Sequence, residues 1–139
     1  MEVSNISERI RLYKELNEIK DEAELQEFEK RLTDRFGLIP APAASLLDIV
    51  RLKWIAVTLG IEKIVLKNNL LIANFISDQG SPFYRSRLFV SIMNYVNHHQ
   101  KRMTVRQKET RLSLTISEVT SVKPGIVILN SILDNYKSN

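Results

Sequence analysis

The feature that most constrains this fold is an apolar stripe that stops at a glycine and two prolines. The stripe has the three- and four-residue spacing of one helix face, and it consists of Leu25, Phe28, Leu32 and Phe36. Asp21 precedes it and can cap a helix, with Glu24 three residues further on. Gly37 suits a helix C-terminus, and Pro40 and Pro42 prevent continuation. The sequence therefore predicts an amphipathic helix with a sharp end.

Two further helices are predicted on either side of this stripe. Ser7 precedes a run with helical apolar spacing, which indicates a helix from about residue 8 to 19. Another helix is expected to open at Pro42, whose fixed φ suits a first turn, and to run to Gly60. The residues predicted to lie on its buried side are Leu46, Leu47, Val50, Trp54, Val57 and Ile61.

After these helices the apolar period changes from between three and four residues to two. Residues 62–67 and 70–76 are β-branched or apolar runs separated by Asn68 and Asn69, and asparagine tolerates the positive φ of a tight turn. This pattern predicts a β-hairpin. A second pair of short strands is predicted at residues 103–107 and 111–116.

The remaining segments are typical of helices. Ser81 and Pro82 supply a cap and a first-turn proline for a helix to about Asn97, and a last helix is predicted to start near Pro124. The predicted fold class is α+β, with three N-terminal helices, then a β-hairpin, a helix, a β-hairpin and a C-terminal helix. A length of 139 residues suits a single domain over residues 1–139. Flexible ends are expected at residues 1–6 and 137–139.

Composition excludes several kinds of chemistry. The chain has no cysteine, so disulfides, thiol catalysis and cysteine-ligated metal sites are excluded. The four glycines are far apart, and none forms a phosphate-binding loop or a nucleophile elbow. Adjacent His98 and His99 would point about 100° apart on a helix, which disfavours a shared metal. We predict no catalytic residue, no metal and no cofactor.

The sequence also bears on location. Its first ten residues lack the basic start and apolar run of a secretory signal, and no apolar stretch approaches the ~18 residues of a membrane span. We therefore expect a cytoplasmic protein without a membrane partner.

Charge is distributed unevenly along the chain. Twenty Lys and Arg against sixteen Asp and Glu give +4, but residues 1–35 hold seven bases and ten acids, 7 − 10 = −3, which leaves +7 for the rest. This distribution has two interpretations. Either the protein has an acidic face for a basic partner and a basic face for an acidic partner, or the charges belong to ordinary solvated helix surfaces.

The most basic segment is a candidate nucleic-acid contact. From Arg85 to Arg111 there are seven bases and one acid, with aromatic residues Phe83, Tyr84 and Tyr95 nearby. Arginines beside exposed aromatics can clamp phosphates and stack bases, although no helix-turn-helix or ribonucleoprotein signature is present. The candidate contact residues are Arg85, Arg87, Lys101, Arg102 and Arg106.

Several runs of the chain resemble the C-terminal domain of bacterial transcription-repair coupling factor. The strongest are RLTDRFGLIP at 31–40 and LLDIVRLKWIAVTLGIEKI at 46–64. The segments SERIRLYKELNEI, SPFYRSRLFVSIMNYV and SVKPGIVILNSIL fall where that family has its leading and later helices. The resemblance covers essentially the whole chain, and DRFG with a nearby IP and LGI is its most specific part.

The resemblance implies a fragment of a longer protein with a regulatory role. Members of that family are ATP-driven double-stranded-DNA translocases that displace stalled RNA polymerase and recruit excinuclease A, the component of excision repair that recognises damage. In them, the C-terminal domain packs on an N-terminal excinuclease-B-like module, hides the surface for excinuclease A, and restrains the motor until polymerase is engaged. The motor motifs lie outside this chain, so the fragment is not expected to be an enzyme.

Three interface residues follow from the resemblance. Asp34 and Arg35 of DRFG are the leading candidates for contact with the N-terminal module, and Arg31 stands where the resemblance implies a glutamate. That charge reversal leaves the salt-bridge pattern at Arg31 open. The other interpretation of Asp34 and Arg35 is a pair that only holds the turn before Gly37. The alternative function is a basic DNA-contacting accessory domain of a repair protein.

Overall fold

The computed structural model describes residues 6–38 and 41–138. Its backbone contacts divide the chain into two compact units, Met1–Trp54 and Ile55–Asn139. The helices are α1 (Ile6–Glu18), α2 (Glu22–Phe36), α3 (Ala41–Thr58), α4 (Arg87–Asn97) and α5 (Val122–Lys137). The strands are β1 (Ile61–Lys67), β2 (Leu70–Phe75), β3 (Met103–Lys108) and β4 (Arg111–Ser117). This order confirms the predicted α+β class.

The first unit is a small helical assembly built around the predicted stripe of α2. Its buried core draws on all three helices and contains Leu16, Ile19, Leu25, Phe28, Leu32, Leu47 and Val50. The Asp21 side chain accepts a hydrogen bond from the Glu24 N–H at 2.8 Å, and Glu24 Oε2 accepts one from the Lys20 N–H at 3.1 Å. Gly37 ends the helix with φ 86°, and its N–H bonds the Thr33 carbonyl at 2.8 Å. The cap, stripe and stop of α2 are confirmed.

A charged cluster lies inside the first unit. Asp48 is the buried acid, at 8% exposure. Arg51 Nη1 donates to Asp48 Oδ1 at 2.9 Å, and its Nε contacts the two Glu22 carboxylate oxygens at 2.9 and 3.1 Å. The bond to Glu22 raises the pKa of Arg51 above its ordinary value, while burial opposes the shift. Arg51 therefore joins the start of α2 to α3.

The second unit contains one four-stranded antiparallel sheet in the order β1-β2-β4-β3. Both predicted hairpins are present, and pairing of β2 with β4 joins them. Asn68 and Asn69 have φ of 54° and 60°, as the predicted tight turn requires. Each hairpin therefore forms locally, and one long-range pairing makes the sheet.

The two faces of the sheet differ in burial because side chains alternate along a strand. One face is almost fully buried and carries Leu71, Ala73, Phe75, Leu114 and Ile116. Helices α4 and α5 pack on it: the Phe89 and Phe75 rings lie 6.1 Å apart, and Gly125 of α5 approaches the Leu71 side chain closely. The opposite face carries half-buried and exposed side chains, and we call it the open face.

Two details of the helix predictions were wrong. The helix predicted from Ser81 to Asn97 is broken, because Pro82–Arg85 forms a 3-10 turn and Ser86 has an extended ψ of 156°. The Ser86 hydroxyl then caps α4 by accepting from the Phe89 N–H at 3.1 Å. Helix α5 begins at Val122, near Pro124 as predicted. Val57 is 68% exposed instead of buried.

The predicted flexible ends, 1–6 and 137–139, lie largely outside the described residues, as does the predicted stop at Pro40. Within the described part, Ile6 opens α1 and Lys137 ends α5. No helix there combines the length and the apolar character needed to cross a bilayer.

Candidate functional site

The candidate interface is the last turn of α2, which lies on the surface directly before Gly37 ends the helix. Asp34 and Arg35 lie in this turn, directly before Phe36 and Gly37. Phe36 is half-buried against the core of the first unit. The buried stripe holds the backbone of this helix against the core of the first unit.

Arg31 and Arg35 lie one helical turn apart and both bind α1. Arg31 Nη1 lies 2.6 Å from Glu15 Oε1, and the Arg35 guanidinium forms an ion pair with Glu8. Each guanidinium also lies over an aromatic ring, 5.8 Å from the Phe28 centroid for Arg31 and 5.0 Å from the Phe36 centroid for Arg35. Both arginine side chains are more than half exposed, but the Glu15 side chain is 38% exposed and the Glu8 side chain only 19%. The exposed Arg31–Glu15 pair contributes about 0–1 kcal/mol to stability.

Asp34 differs from its two neighbours. It is exposed, and its side chain makes no hydrogen bond or ion pair with any residue that the structure describes. It precedes Arg35 by one position, which turns its side chain by about 100° around the helix axis. The structure therefore brings Arg31 and Arg35 together on the side of α1 and leaves the Asp34 carboxylate facing solvent.

The basic segment from Arg85 to Arg106 does not form one surface. Arg85 ends the 3-10 turn and Arg87 opens α4, and both line a cavity of about 380 Å³ together with Tyr136 of α5. They belong to the helical layer over the buried sheet face. Lys101 is exposed in the turn after α4, and Arg106 is exposed on the open face.

Arg102 has a structural contact. Its Nε donates to the Ser117 carbonyl at 2.8 Å and its Nη2 to the Glu118 carbonyl at 3.0 Å. Glu118 follows β4 with a positive φ of 61°. The guanidinium therefore satisfies carbonyl groups where the sheet ends, and these bonds compete with any contact to a phosphate.

The aromatic residues near the basic segment pack against one another. The Phe83 ring stacks on Phe75 at 5.9 Å, and Tyr84 meets Phe83 and Phe89 edge-on at 5.2 Å each. The Tyr84 hydroxyl donates to the Ile76 carbonyl, and burial raises its pKa above the ordinary value, with Glu62 and Asp78 adding to the shift. These half-buried rings pack into one cluster around the buried Phe75 and do not form a stacking platform.

The histidines and Tyr95 likewise form local contacts. The Tyr95 ring stacks on His99 at 4.0 Å. The Nδ1 atoms of His98 and His99 lie 2.7 Å from the carbonyl oxygens of Asn94 and Tyr95. Across residues 6–38 and 41–138 no three His, Asp or Glu side chains come together as a metal site.

Comparison with known families connects this geometry to other proteins. The family model described as "TRCF domain" matches residues 3–86, more than half of the 139-residue chain. The chain belongs to the TRCF domain family. The matched range includes α1, α2, α3 and the first hairpin, and therefore Arg31, Asp34 and Arg35.

Relatives of this TRCF domain include three proteins named transcription-repair-coupling factor. The Escherichia coli (strain K12) protein is 45% identical over 62 residues, which is 45% of this chain and 5% of the relative. The Rickettsia typhi protein is 37% identical over 62 residues, 45% of this chain and 6% of the relative. The Rickettsia conorii protein is 32% identical over 73 residues, 52% of this chain and 6% of the relative. The chain thus spans only about one-twentieth of these relatives.

The fold of this TRCF domain is also that of a solved structure. The "Crystal structure of C-terminal domain of transcription-repair coupling factor" superposes with a TM-score of 0.74 at 18% identity, and the match covers 99% of this chain and 86% of that one. The resemblance seen in the sequence is therefore confirmed. The structural match extends through α4, β3, β4 and α5, which lie beyond the range of the family model.

Sequence reasoning missed two cations of this TRCF domain that lie on the sheet. Lys63 and Lys67 of β1 share the open face with Arg106, because the register pairs Lys63 with Asn74, Asn74 with Ser113, and Ser113 with Arg106. Side chains alternate between the two faces of a strand, so lysines at 63 and 67 of β1 indicated one charged face. Its link to Arg106 depends on the pairing of β2 with β4, which the sequence did not indicate.

Proposed function

We propose that this TRCF domain is an autoinhibitory domain of a transcription-repair coupling factor. In this proposal it covers an N-terminal excinuclease-B-like module of the parent chain and restrains ATP-driven DNA translocation until stalled RNA polymerase is engaged. The observation that carries the proposal is that Asp34, in the last turn of α2, is an exposed carboxylate without a partner among the described residues.

The contacts of the arginines support a reversible restraint. The masked state can be only a few kcal/mol more stable than the released state, because otherwise no partner could shift the equilibrium between them. Arg31 is held by an exposed ion pair worth about 0–1 kcal/mol, so it can exchange the Glu15 carboxylate for a partner carboxylate at little cost. Release of Arg35 costs more, because the side chain of its partner Glu8 is only 19% exposed. Asp34 offers the opposite charge beside them, which fixes the register of docking.

The family supports the partners that we propose. Its members are named for the coupling of transcription to repair, so contacts with excinuclease A and RNA polymerase would act through the parent chain. In this proposal residues 1–139 form one regulatory domain that catalyses no reaction. The domain works in the bacterial cytoplasm, where transcription takes place.

Reversal of the charge at position 34 tests the restraint. In the full-length protein, Asp34→Arg is expected to raise ATP turnover or the binding of excinuclease A about fivefold to tenfold without polymerase, because loss of about 1 to 1.4 kcal/mol shifts a two-state equilibrium by that factor. Steady-state ATPase assays and pull-down titrations measure both effects.

A matched control is available in the second unit. Asp134 is exposed on α5, so Asp134→Arg makes the same charge change at a helical surface outside the proposed interface. It is expected to leave both readouts at wild-type levels. If Asp34→Arg also leaves both unchanged while its circular dichroism is native, Asp34 is not part of the restraint.

A further inference from the structure

The open face of the sheet carries a set of cations that the fold assembles from distant parts of the chain. Strand β1 contributes Lys63 and Lys67 at one edge, and the second hairpin contributes Arg106, Lys108 and Arg111 at the other, where Lys108 pairs with Arg111. All five side chains are exposed. Positions that pair directly across strands share a face, so these cations point to the same side.

Acidic residues do not neutralise this face. Across the four strands, which the structure describes in full, the single acid is Glu62. Glu62 lies where the register of β1 shifts, and its Oε1 accepts hydrogen bonds from Ser77, from the N–H at 3.0 Å and the hydroxyl at 3.3 Å. The exposed acids Glu109 and Glu118 flank the second hairpin, outside its strands. The five cations outnumber them, so the face has an excess of positive charge that attracts a polyanion.

The floor between the cations has hydrogen-bonding side chains. One side of the floor is polar and contains Asn74 of β2, Ser113, Thr115 and Ser117 of β4, and Thr104 of β3. Arg, Lys, Ser, Thr and Asn side chains make most contacts to phosphate oxygens in protein–DNA complexes. The composition of this side thus matches the chemistry of a phosphate backbone.

Two other occupants fit the face less well. Single-stranded nucleic acid is held by aromatic side chains on which bases stack, and the open-face strand positions carry no aromatic residue. The centres of protein–protein interfaces are enriched in aromatic residues and methionine, whereas this floor holds the aliphatic Val65, Leu70 and Ile72 beside hydroxyl and amide groups.

The dimensions suit a double helix. Neighbouring strands are about 4.8 Å apart, so the β1 and β3 edges of the four-stranded sheet are separated by about 14 Å. That separation is comparable to the about 12 Å width of the major groove of B-DNA, whose two borders are phosphate backbones. We propose that the open face binds the phosphate backbones of double-stranded DNA without reading its sequence.

The choice of DNA over duplex RNA rests on the proposed function, since transcription and its repair take place on DNA. The autoinhibitory contact itself is independent, because it uses Asp34 of the first unit, and its test is ATP turnover in the parent protein. Loss of DNA binding by the open face and loss of restraint by Asp34 are therefore separable results.

Binding of the 139-residue chain to a random-sequence 30-base-pair DNA duplex tests the inference by fluorescence anisotropy over a range of salt concentrations. The triple variant Lys63→Gln/Arg106→Gln/Arg111→Gln removes three of the five open-face cations. If all three contact phosphates, the slope of log K against log salt becomes shallower by about 2.7, with a loss in affinity of at least about tenfold at low salt.

The control triple variant Lys30→Gln/Lys53→Gln/Lys123→Gln removes three exposed cations of α2, α3 and α5. Both triple variants lower the net charge equally, from +4 to 4 − 3 = +1. The control is expected to bind the duplex within about twofold of wild type. All substituted side chains are exposed, and circular dichroism checks that each variant keeps the native fold.

Five results would overturn the inference. They are absence of binding at low salt, an equal loss of affinity in both triple variants, tighter binding of the matching single strand, tighter binding of duplex RNA, and displacement of the duplex by polyglutamate at equal charge concentration. A selective loss in the open-face variant, with duplex DNA preferred over these competitors, supports it.

Discussion

Gly60→Ala is expected to destabilise the second unit by about 3 kcal/mol or more, the largest effect expected for an alanine at any of the four glycines. Gly60 has φ +74°, a conformation that costs a residue with a Cβ about 1–2 kcal/mol. A Cβ there would lie 2.4 to 2.7 Å from three atoms of the Phe83 ring. Overpacking a core typically adds about 1–3 kcal/mol.

The Phe83 ring has little freedom to move away from this methyl group. It packs against Phe75 at 5.9 Å, Phe89 at 5.4 Å and Tyr84 at 5.2 Å. Urea unfolding followed by circular dichroism measures the loss. Gly80→Ala is the matched control, because its Cβ would come no closer than 3.3 Å, to the exposed Asp78 carboxylate, and we expect less than about 0.5 kcal/mol.

A double variant separates steric conflict from backbone strain. Phe83→Leu makes room beside Gly60, so Gly60→Ala should cost about 1–2 kcal/mol less in that background. If the cost of Gly60→Ala is unchanged by Phe83→Leu, the close approach of the ring does not explain the requirement for glycine.

Arg51→Met is expected to destabilise the first unit by about 2–3 kcal/mol. The substitution keeps the aliphatic stem but leaves the buried Asp48 carboxylate without its guanidinium partner and removes the bond to Glu22. Loss of one partner of a fully buried pair costs about 3–5 kcal/mol, and the partial exposure of Arg51 and Glu22 reduces this. Fluorescence of Trp54, the single tryptophan, reports unfolding of the core against which it packs.

Two further variants control this result. Arg31→Met removes the exposed pair with Glu15, and it should cost less than about 1 kcal/mol. Asp48→Asn/Arg51→Met removes the unpaired charge and should recover part of the loss. Equal costs for Arg31→Met and Arg51→Met would show that burial of Asp48 has no energetic consequence.

The helices of the first unit were predictable because their signals are local. In α2 the cap at Asp21, the buried stripe and the stop at Gly37 all lie within about four turns, and each acts through neighbours along the chain. The turn at Asn68 and Asn69 was predictable for the same reason. Such elements need no knowledge of the rest of the fold.

The sheet order and the break before α4 were not predictable in this way. Pairing of β2 with β4 joins residues about forty positions apart, and no local pattern specifies it. Ser86 resembles many serines inside helices, and its cap forms because Phe83 and Phe89 pack on Phe75 on either side of it. Tertiary packing decided the local structure here.

The candidate site shows the same division. The sequence indicated the position of Asp34 at a helix end, but only the packing of α1 showed that Arg31 and Arg35 have internal partners and Asp34 has none among the described residues. Arg102 was predicted as a contact with nucleic acid, and its bonds to two carbonyl groups depend on where β4 ends. Charge counts along a chain cannot show which charged side chains already bind other groups of the same protein.

Direct titration of the 139-residue chain with the N-terminal excinuclease-B-like module that we propose as its partner tests the masking claim most directly. The proposed contact would be intramolecular in the parent and would work at effective concentrations near the mM range, so the titration should extend to about 1 mM. The account predicts a complex with wild type that Asp34→Arg weakens at least about fivefold and Asp134→Arg leaves intact. Absence of a complex over this range, or equal binding by Asp34→Arg, would contradict it.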